Sequence, residues 1–331
     1  MLKKTALVTA VSAAMVLPAQ VMAQEVTFDF YGSARFQVES VSPDGADSYT
    51  GTRDAYSRIG FNAEYAPAEN FAIVGQLELP LDLANRKVQD PYQEQDEDVR
   101  IAMVGVTGDF GSLYYGKQWA PFYNAISFPV DMFSTYYSGF ATFTTFRPED
   151  TVSYYSPSFN GFSFAGSWSD GEGFGGDDRI QLTASYSFDD TTLAVGMDYP
   201  DGGDNTRIYG ASVMHSVGDW YFGAKAEYIT SDQKTVEEFG KDGDTALNAF
   251  VSYTLGQHTF KGMVAKVDNY GGDVYHLGYD FQVRSDLKLF AEYYSEDGPA
   301  AIAKDTRLPT SVDGNLANGG KAFAVGARFD F

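Results

Sequence analysis

The stretch Ala322-Phe323-Ala324-Val325-Gly326-Ala327-Arg328-Phe329-Asp330-Phe331 constrains this chain most. Phe331, Phe329, Ala327, Val325 and Phe323 share one parity, while Asp330 and Arg328 lie on the other. That is a period-two strand with one apolar face and an aromatic at its last position. A strand of this kind suits the closing edge of a membrane barrel, where alternate residues face lipid and an aromatic girdle marks the interface.

The other end of the sequence has the order of a secretory signal. Lys3 and Lys4 precede an apolar run from Ala6 to Leu17, then Val21-Met22-Ala23. The expectation is a signal peptide over residues 1–23, cleaved after Ala23. No segment reaches the roughly 20 apolar residues of a membrane-spanning helix, so a membrane form of this chain must be a closed barrel. Removing 23 of 331 residues leaves 308, read as one domain over residues 24–331.

Composition fits alternating lipid and water faces. There are 26 Phe and 23 Tyr, yet mean hydropathy is −0.26. Losing Lys3 and Lys4 takes the formal charge from −22 to −24, which argues against nucleic acid as a partner. With no Cys, disulfide frameworks and thiolate metal sites are excluded.

Alternation recurs along the chain. Val26 to Glu39 places Phe28, Phe30, Phe36 and Val38 on one face, and Asp29, Ser33, Arg35, Gln37 and Glu39 on the other. Ser57, Ile59, Phe61, Ala63 and Tyr65 repeat the pattern opposite Arg58, Asn62 and Glu64. Further strands are expected at 71–79, 99–107, 112–118, 151–157, 161–170 and onward. In the strand at 258–267 the alternation falters, because Lys261 and Met263 share a parity. Tight turns such as Asp189-Asp190 and Gly218-Asp219 alternate with long polar loops at 80–98, 231–243 and 296–319. The count is sixteen antiparallel strands, even as an up-and-down barrel requires. A soluble sandwich fits poorly, since its strands average about 5–6 residues and these run to ten or more.

One long connection is not polar. Residues 119–148 carry Trp119, Phe122, Tyr123, Phe128, Phe133, Tyr136, Tyr137, Phe140, Phe143 and Phe146, with only Asp131 and Arg147 as charges. An exposed loop of this composition would aggregate. The expectation is that it folds into the barrel and narrows the lumen.

Tyr31-Gly32, Ser57-Arg58-Ile59-Gly60-Phe61, Arg100-Ile101-Ala102, Gly111 to Lys117, Ser156 to Phe162 and Phe331 stand in an order and spacing that resembles the Gram-negative general-diffusion porins. The resemblance spans essentially the whole chain. It implies a sixteen-stranded transmembrane β-barrel, a homotrimer, whose third extracellular loop folds inward so that a basic wall faces acidic loop residues. It also implies an outer-membrane location among lipid and lipopolysaccharide, with insertion by the barrel-assembly machinery. Parity puts Arg58 and Arg100 on the lumen wall, matching family arginines, and Arg35 shares that face. Family members often carry a basic residue where Ser33 stands, so the charge is displaced along the strand. Arg147 is expected to compensate for Ser153, and Asp131 with Glu149 to form the acidic side. Phe329 and Phe331 are expected to form the membrane-assembly signal. The less favoured alternative for Arg58 and Arg100 is that they solvate a polar wall or pair with Glu64 and Glu78; Lys225, Glu227, His276, Asp280 and Arg284 read as ordinary lumen wall.

Other signals are weak. Gly171 to Gly176 contains GxGxxG but no helix follows it, so no dinucleotide or other cofactor is expected. His215, His258 and His276 lack metal-ligand spacing, the acidic run Asp90 to Asp98 reads as a solvated loop, and nothing signals an enzyme. The leading reading is a passive, water-filled channel for ions and small hydrophilic solutes, narrowed by 119–148. Its alternatives are a substrate-specific channel with an aromatic binding slide and a surface adhesin.

Overall fold

The computed structural model describes residues 26–91, 99–138, 140–173, 176–202, 205–232, 240–268, 272–298, 300–302 and 318–331. The expected signal peptide lies outside these residues, as do parts of the acidic run and of the Gly-rich motif.

Seventeen β-segments form one closed antiparallel sheet. They are β1 (Thr27–Pro43), β2 (Tyr49–Asp54), β3 (Ser57–Ala68), β4 (Phe71–Leu81), β5 (Ile101–Gly108) and β6 (Gly111–Lys117). Then follow β7 (Thr151–Tyr155), β8 (Phe162–Ser169), β9 (Arg179–Phe188), β10 (Thr191–Pro200), β11 (Arg207–Val217) and β12 (Trp220–Thr230). The last are β13 (Thr245–Leu255), β14 (His258–Val267), β15 (Gly272–Arg284), β16 (Leu287–Glu296) and β17 (Gly320–Asp330). From β3 onward each pairs with the next in the chain, and β1 closes the ring on β17 from Ser33↔Asp330 to Pro43↔Gly320. β2 and β3 pair with successive stretches of β1 and are two halves of one barrel strand, so the barrel has sixteen strands.

The break between β2 and β3 is local chemistry. Tyr56 has a φ of 67°, and Asp54 holds the corner by accepting the backbone N–H groups of Ser57 (2.7 Å) and Leu83 (3.0 Å). Sequence alternation placed the strand's start at Ser57 because this corner interrupts the period. A different turn, Asn160-Gly161, shows why the tight end is tight. Both residues have positive φ (52° and 88°), the geometry that joins two strands without splaying them.

The face assignment follows parity. Phe28 is 60% exposed and Phe30 74%, while Gln37 and Glu39, of the opposite parity farther along the same strand, are buried. The apolar residues therefore look outward, where lipid supplies their apolar surroundings, and the polar ones line the interior. The strand at 258–267 explains its faltering pattern. Met263 and Lys261 are both buried on the inner face, and Met263 packs with Phe133 of the long connection. An apolar side chain on the lumen parity marks where something covers the wall.

Candidate functional site: the lumen and the segment that packs in it

Residues 119–148 run between β6 and β7. Their regular structure is one π-helical turn, Tyr123–Ser127, followed by a 3₁₀ turn, Phe128–Val130, with Pro129 near its start. So little regular structure leaves many backbone N–H groups needing partners, and a buried N–H without one is costly. Inward-facing side chains of the wall supply them. Gln181 Oε1 accepts from Phe122 N (3.0 Å), and Gln37 Oε1 from Tyr136 N (2.9 Å). Asn248 accepts from Ala141 N (2.8 Å) and donates to Ala141 O (2.9 Å). Glu227 accepts from Phe143 N (2.7 Å) and from the Thr142 hydroxyl (2.6 Å). Glu292 accepts from Ser134 N (2.9 Å) and Thr135 N (3.1 Å).

These carboxylates are themselves held. Lys225 bridges to Glu227, while Lys261 (2.8 Å) and His276 (3.1 Å) bridge to Glu292. Phe133 stacks flat on the His276 ring, with centroids 3.5 Å apart. Glu227 and His276 thus do more than line a wall: they fasten the segment to it. Arg284 stands elsewhere, exposed at the end of β15 and paired with Asp286 at 2.9 Å.

Close approach also needs a wall without side chains. Gly196 on β10 and Gly210 on β11 are direct cross-strand partners. A Cβ on Gly210 would stand 2.5 Å from the Phe122 ring and 2.8 Å from Ile126. One on Gly223 of β12 would overlap the Pro129 carbonyl. Phe122, Ile126, Tyr136 and Tyr137 are consequently almost wholly buried. At the β2–β3 corner, Tyr56 stacks on Tyr136 (5.7 Å) and donates to its carbonyl (3.0 Å), and the Arg53 guanidinium lies 3.9 Å over the same ring.

Beyond that corner, and Tyr155 of β7, which accepts from Asn124 Nδ2 (3.1 Å) and donates to Trp119 O (3.2 Å), the contacts fall on β1 and β9 through β16. The wall of β3 to β5 instead presents arginines, Arg58 on β3 and Arg100 just before β5. Arg100 Nε bonds Glu78 at 2.8 Å, and Arg58 lies 3.9 Å from the same carboxylate, which also accepts from Tyr31 (3.0 Å). Of the two sequence-level partners, Glu78 is used and Glu64 is not among these contacts. Asp90 faces both Arg100 (3.4 Å) and Arg147 (3.7 Å). Arg147 also lies 4.9 Å over the Trp119 ring, which stacks on Tyr123 at 4.4 Å. Tyr123 donates to Asp131 at 2.6 Å. Desolvation raises the Asp131 carboxyl above its ordinary value, and the hydrogen bond from Tyr123 with the charges of Arg35, Arg58 and Arg100 oppose that rise. Burial beside Asp131 pushes the Tyr123 phenol up.

Arg35, Arg58, Arg100, Arg147 and Asp131 are therefore electrostatic neighbours. Glu149 stands apart, exposed and bound to Lys117 at 2.9 Å. Sequence reasoning missed Asp90 as a partner of arginines, the holding role of Glu227 and Glu292, and the glycine track. The signal available for the last was three glycines at inward parity on consecutive strands.

The two expected assembly residues sit at the seam. Phe331 N donates to Gly32 O (3.1 Å), and Gly32 N donates to Phe331 O (2.8 Å). The Phe331 ring occupies the space a Cβ on Gly32 would need, and it stacks with Phe329 at 5.7 Å.

Comparison with known proteins agrees with this architecture. The family model for Gram-negative porin matches residues 8–301. A chitoporin from Vibrio furnissii is 27% identical over 231 residues, covering 64% of this chain and 61% of that protein, so the chain spans less than two thirds of its length. An anion-selective porin from Comamonas acidovorans superposes with a TM-score of 0.68 at 14% identity, over 93% of this chain and all of that one. The structure of Salmonella typhi OmpF in complex with daunomycin gives 0.68 at 17% identity, over 92% and 97%. With its sixteen-stranded barrel, outward apolar face and polar interior, the chain belongs to the Gram-negative porin family.

Proposed function

We propose that residues 119–148 are the third extracellular loop, folded inward as the channel constriction. The solute path then runs between this loop and the wall of β3 to β8. One observation carries the reading: the loop is fastened along β9 to β16 and β1, while the wall left opposite it carries Arg58 and Arg100. Rings of charge at a narrow point set which ions pass. Here Arg35, Arg58, Arg100 and Arg147 face Glu78, Asp90 and Asp131, so the constriction is close to neutral. The mature chain, with 45 acidic and 21 basic residues, then tips the balance toward cations through its vestibules. Glu149, at the mouth, contributes to that outer field.

The active form is a homotrimer in lipid and lipopolysaccharide, inserted by the barrel-assembly machinery through Phe329 and Phe331. Export removes residues 1–23. Replacing Phe331 by Asp should lower outer-membrane levels far more than it alters the conductance of the channels that do assemble; normal levels would remove the assembly role. Recording in planar bilayers tests the channel reading: ohmic conductance for small ions supports it, and a silent barrel contradicts it.

A second reading comes with the chitoporin relative: a channel specific for amino-sugar oligomers. Phe128, which is exposed, and the partly exposed Trp119, Phe140 and Phe146 are the aromatics of the segment that would serve it. Against it, Trp119 already stacks on Tyr123 and lies under Arg147. Saturable block by chito-oligosaccharides would favour this reading over general diffusion.

A further inference from the structure

Near the tight-turn end of the barrel, three cations stand side by side on adjacent strands. Arg35 of β1 is the direct cross-strand partner of Arg328 of β17, which is also the partner of Lys288 of β16. Residues in direct register share a face, and like charges so placed repel. Arg58 adds a fourth cation, two residues along, opposite Ser33. The charges that act most on Arg35 are Arg58, Arg328, Asp330 and Arg100, three of them of its own sign.

The acidic groups nearby are already engaged. Asp330 takes Arg328 Nε with both oxygens (2.9 and 2.8 Å) and the Ser33 hydroxyl (2.6 Å). Asp280 takes Lys288 (2.9 Å) and Lys261 (3.1 Å), and Glu78 takes Arg100. Among the described residues no carboxylate lies within ion-pair distance of Arg35, whose Nε donates to Ser33 Oγ at 2.7 Å. The Arg58 Nε is buried without a hydrogen-bond partner. A row of guanidinium forks with spare donors matches the oxygens of a small tetrahedral or planar oxyanion.

We propose that Arg35, Arg328, Lys288 and Arg58 form a luminal subsite for small oxyanions such as phosphate, at the tight-turn edge of the constriction. This deepens the diffusion-channel reading and rests on it. An anion seated there would relieve the cross-strand repulsion. It would also give the channel a saturable path for phosphate within an otherwise cation-favouring field.

The test compares chloride with phosphate, each as the salt of a bulky, poorly permeant organic cation so that the anion carries the current, in single-channel recordings of the full protein. Chloride current should rise in proportion to concentration, while phosphate current should saturate. Arg35→Gln should raise the half-saturating phosphate concentration about tenfold, since a hydrogen bond to a charged group is worth roughly that factor or more. Arg35→Lys should recover part of the loss, and Arg328→Gln provides a second variant should Arg35→Gln fail to assemble. Proportional phosphate current, or saturation unmoved by both Gln variants, would overturn the subsite while leaving the channel reading intact. A protein that carries neither salt would overturn the channel reading and the subsite with it.

Discussion

The two sides of the barrel use the same parity for opposite ends. On β9 to β16, inward polar groups such as Gln181, Glu227, Asn248 and Glu292 are buried and spent on the backbone of residues 119–148. On β3 to β5, inward Arg58 and Asn62 remain partly accessible, and Arg100 is held by Glu78 and Asp90. A polar residue on the lumen parity thus has two fates. Where the long segment covers the wall it becomes an anchor, and where it does not it is left to meet solute.

The largest effect should come from cutting a charged anchor. Glu292→Ala removes acceptors from Ser134 and Thr135 and leaves Lys261 with less counter-charge in a buried place. Breaking such a pair costs about 3–5 kcal/mol. The expected outcome is a lower unfolding temperature for the protein and a noisier open channel; an unchanged melting profile would mean that Glu292 does not hold the segment. Next comes the glycine track. Gly210→Val puts methyl groups where Phe122 and Ile126 lie, an overpacking worth about 1–3 kcal/mol. Conductance should change because the segment must shift, whereas the same substitution on an outward glycine should leave it alone. Asn248→Ala is milder. It forfeits two hydrogen bonds to Ala141, about 1–3 kcal/mol if those groups stay buried and unsatisfied, and current fluctuations should rise without loss of assembly.

On the open side, changes should be read in selectivity rather than stability. Arg100→Ser should increase the cation preference measured by reversal potential, and Asp131→Asn should reduce it. Both effects should fade as salt rises, since screening shortens to about 3 Å at 1 M. A salt-independent anion preference in the unaltered protein would show that the arginines outweigh the acidic vestibules. Acidification should act like Asp131→Asn. Because the Asp131 carboxyl is raised above its ordinary value, it takes up a proton at higher pH than a free carboxyl would. Cation preference should therefore begin to fall before ordinary carboxylates titrate, and Asp131→Asn should remove that early step.

Much of this was legible in the sequence because a barrel strand writes its environment with period two. Phe28, Phe30 and Val38 against Gln37 and Glu39 needed no coordinates. The strand count held as well, since β2 and β3 make one barrel strand. Less legible was everything that depends on what covers the wall. Met263 and Phe250 broke the lumen pattern because they pack on Phe133, which lies more than a hundred residues away. Nothing in the parity of Glu227 separates an anchor from a wetted wall residue. The Tyr56 corner was hidden for a different reason: a single residue of positive φ resets the period without leaving a glycine to mark it.

The division of the wall can be tested in one recording. The chain has no Cys, so a single introduced thiol reports alone. Asn62→Cys places it on β3, facing the lumen and partly accessible, and Ser212→Cys places it on β11, where the native hydroxyl donates to Ala125 O at 2.7 Å beneath the long segment. A cationic thiol-reactive reagent added during bilayer recording should step down the current of Asn62→Cys and leave Ser212→Cys unchanged. Reaction at position 212 with none at position 62 would place the path on the other side of the segment and contradict the account.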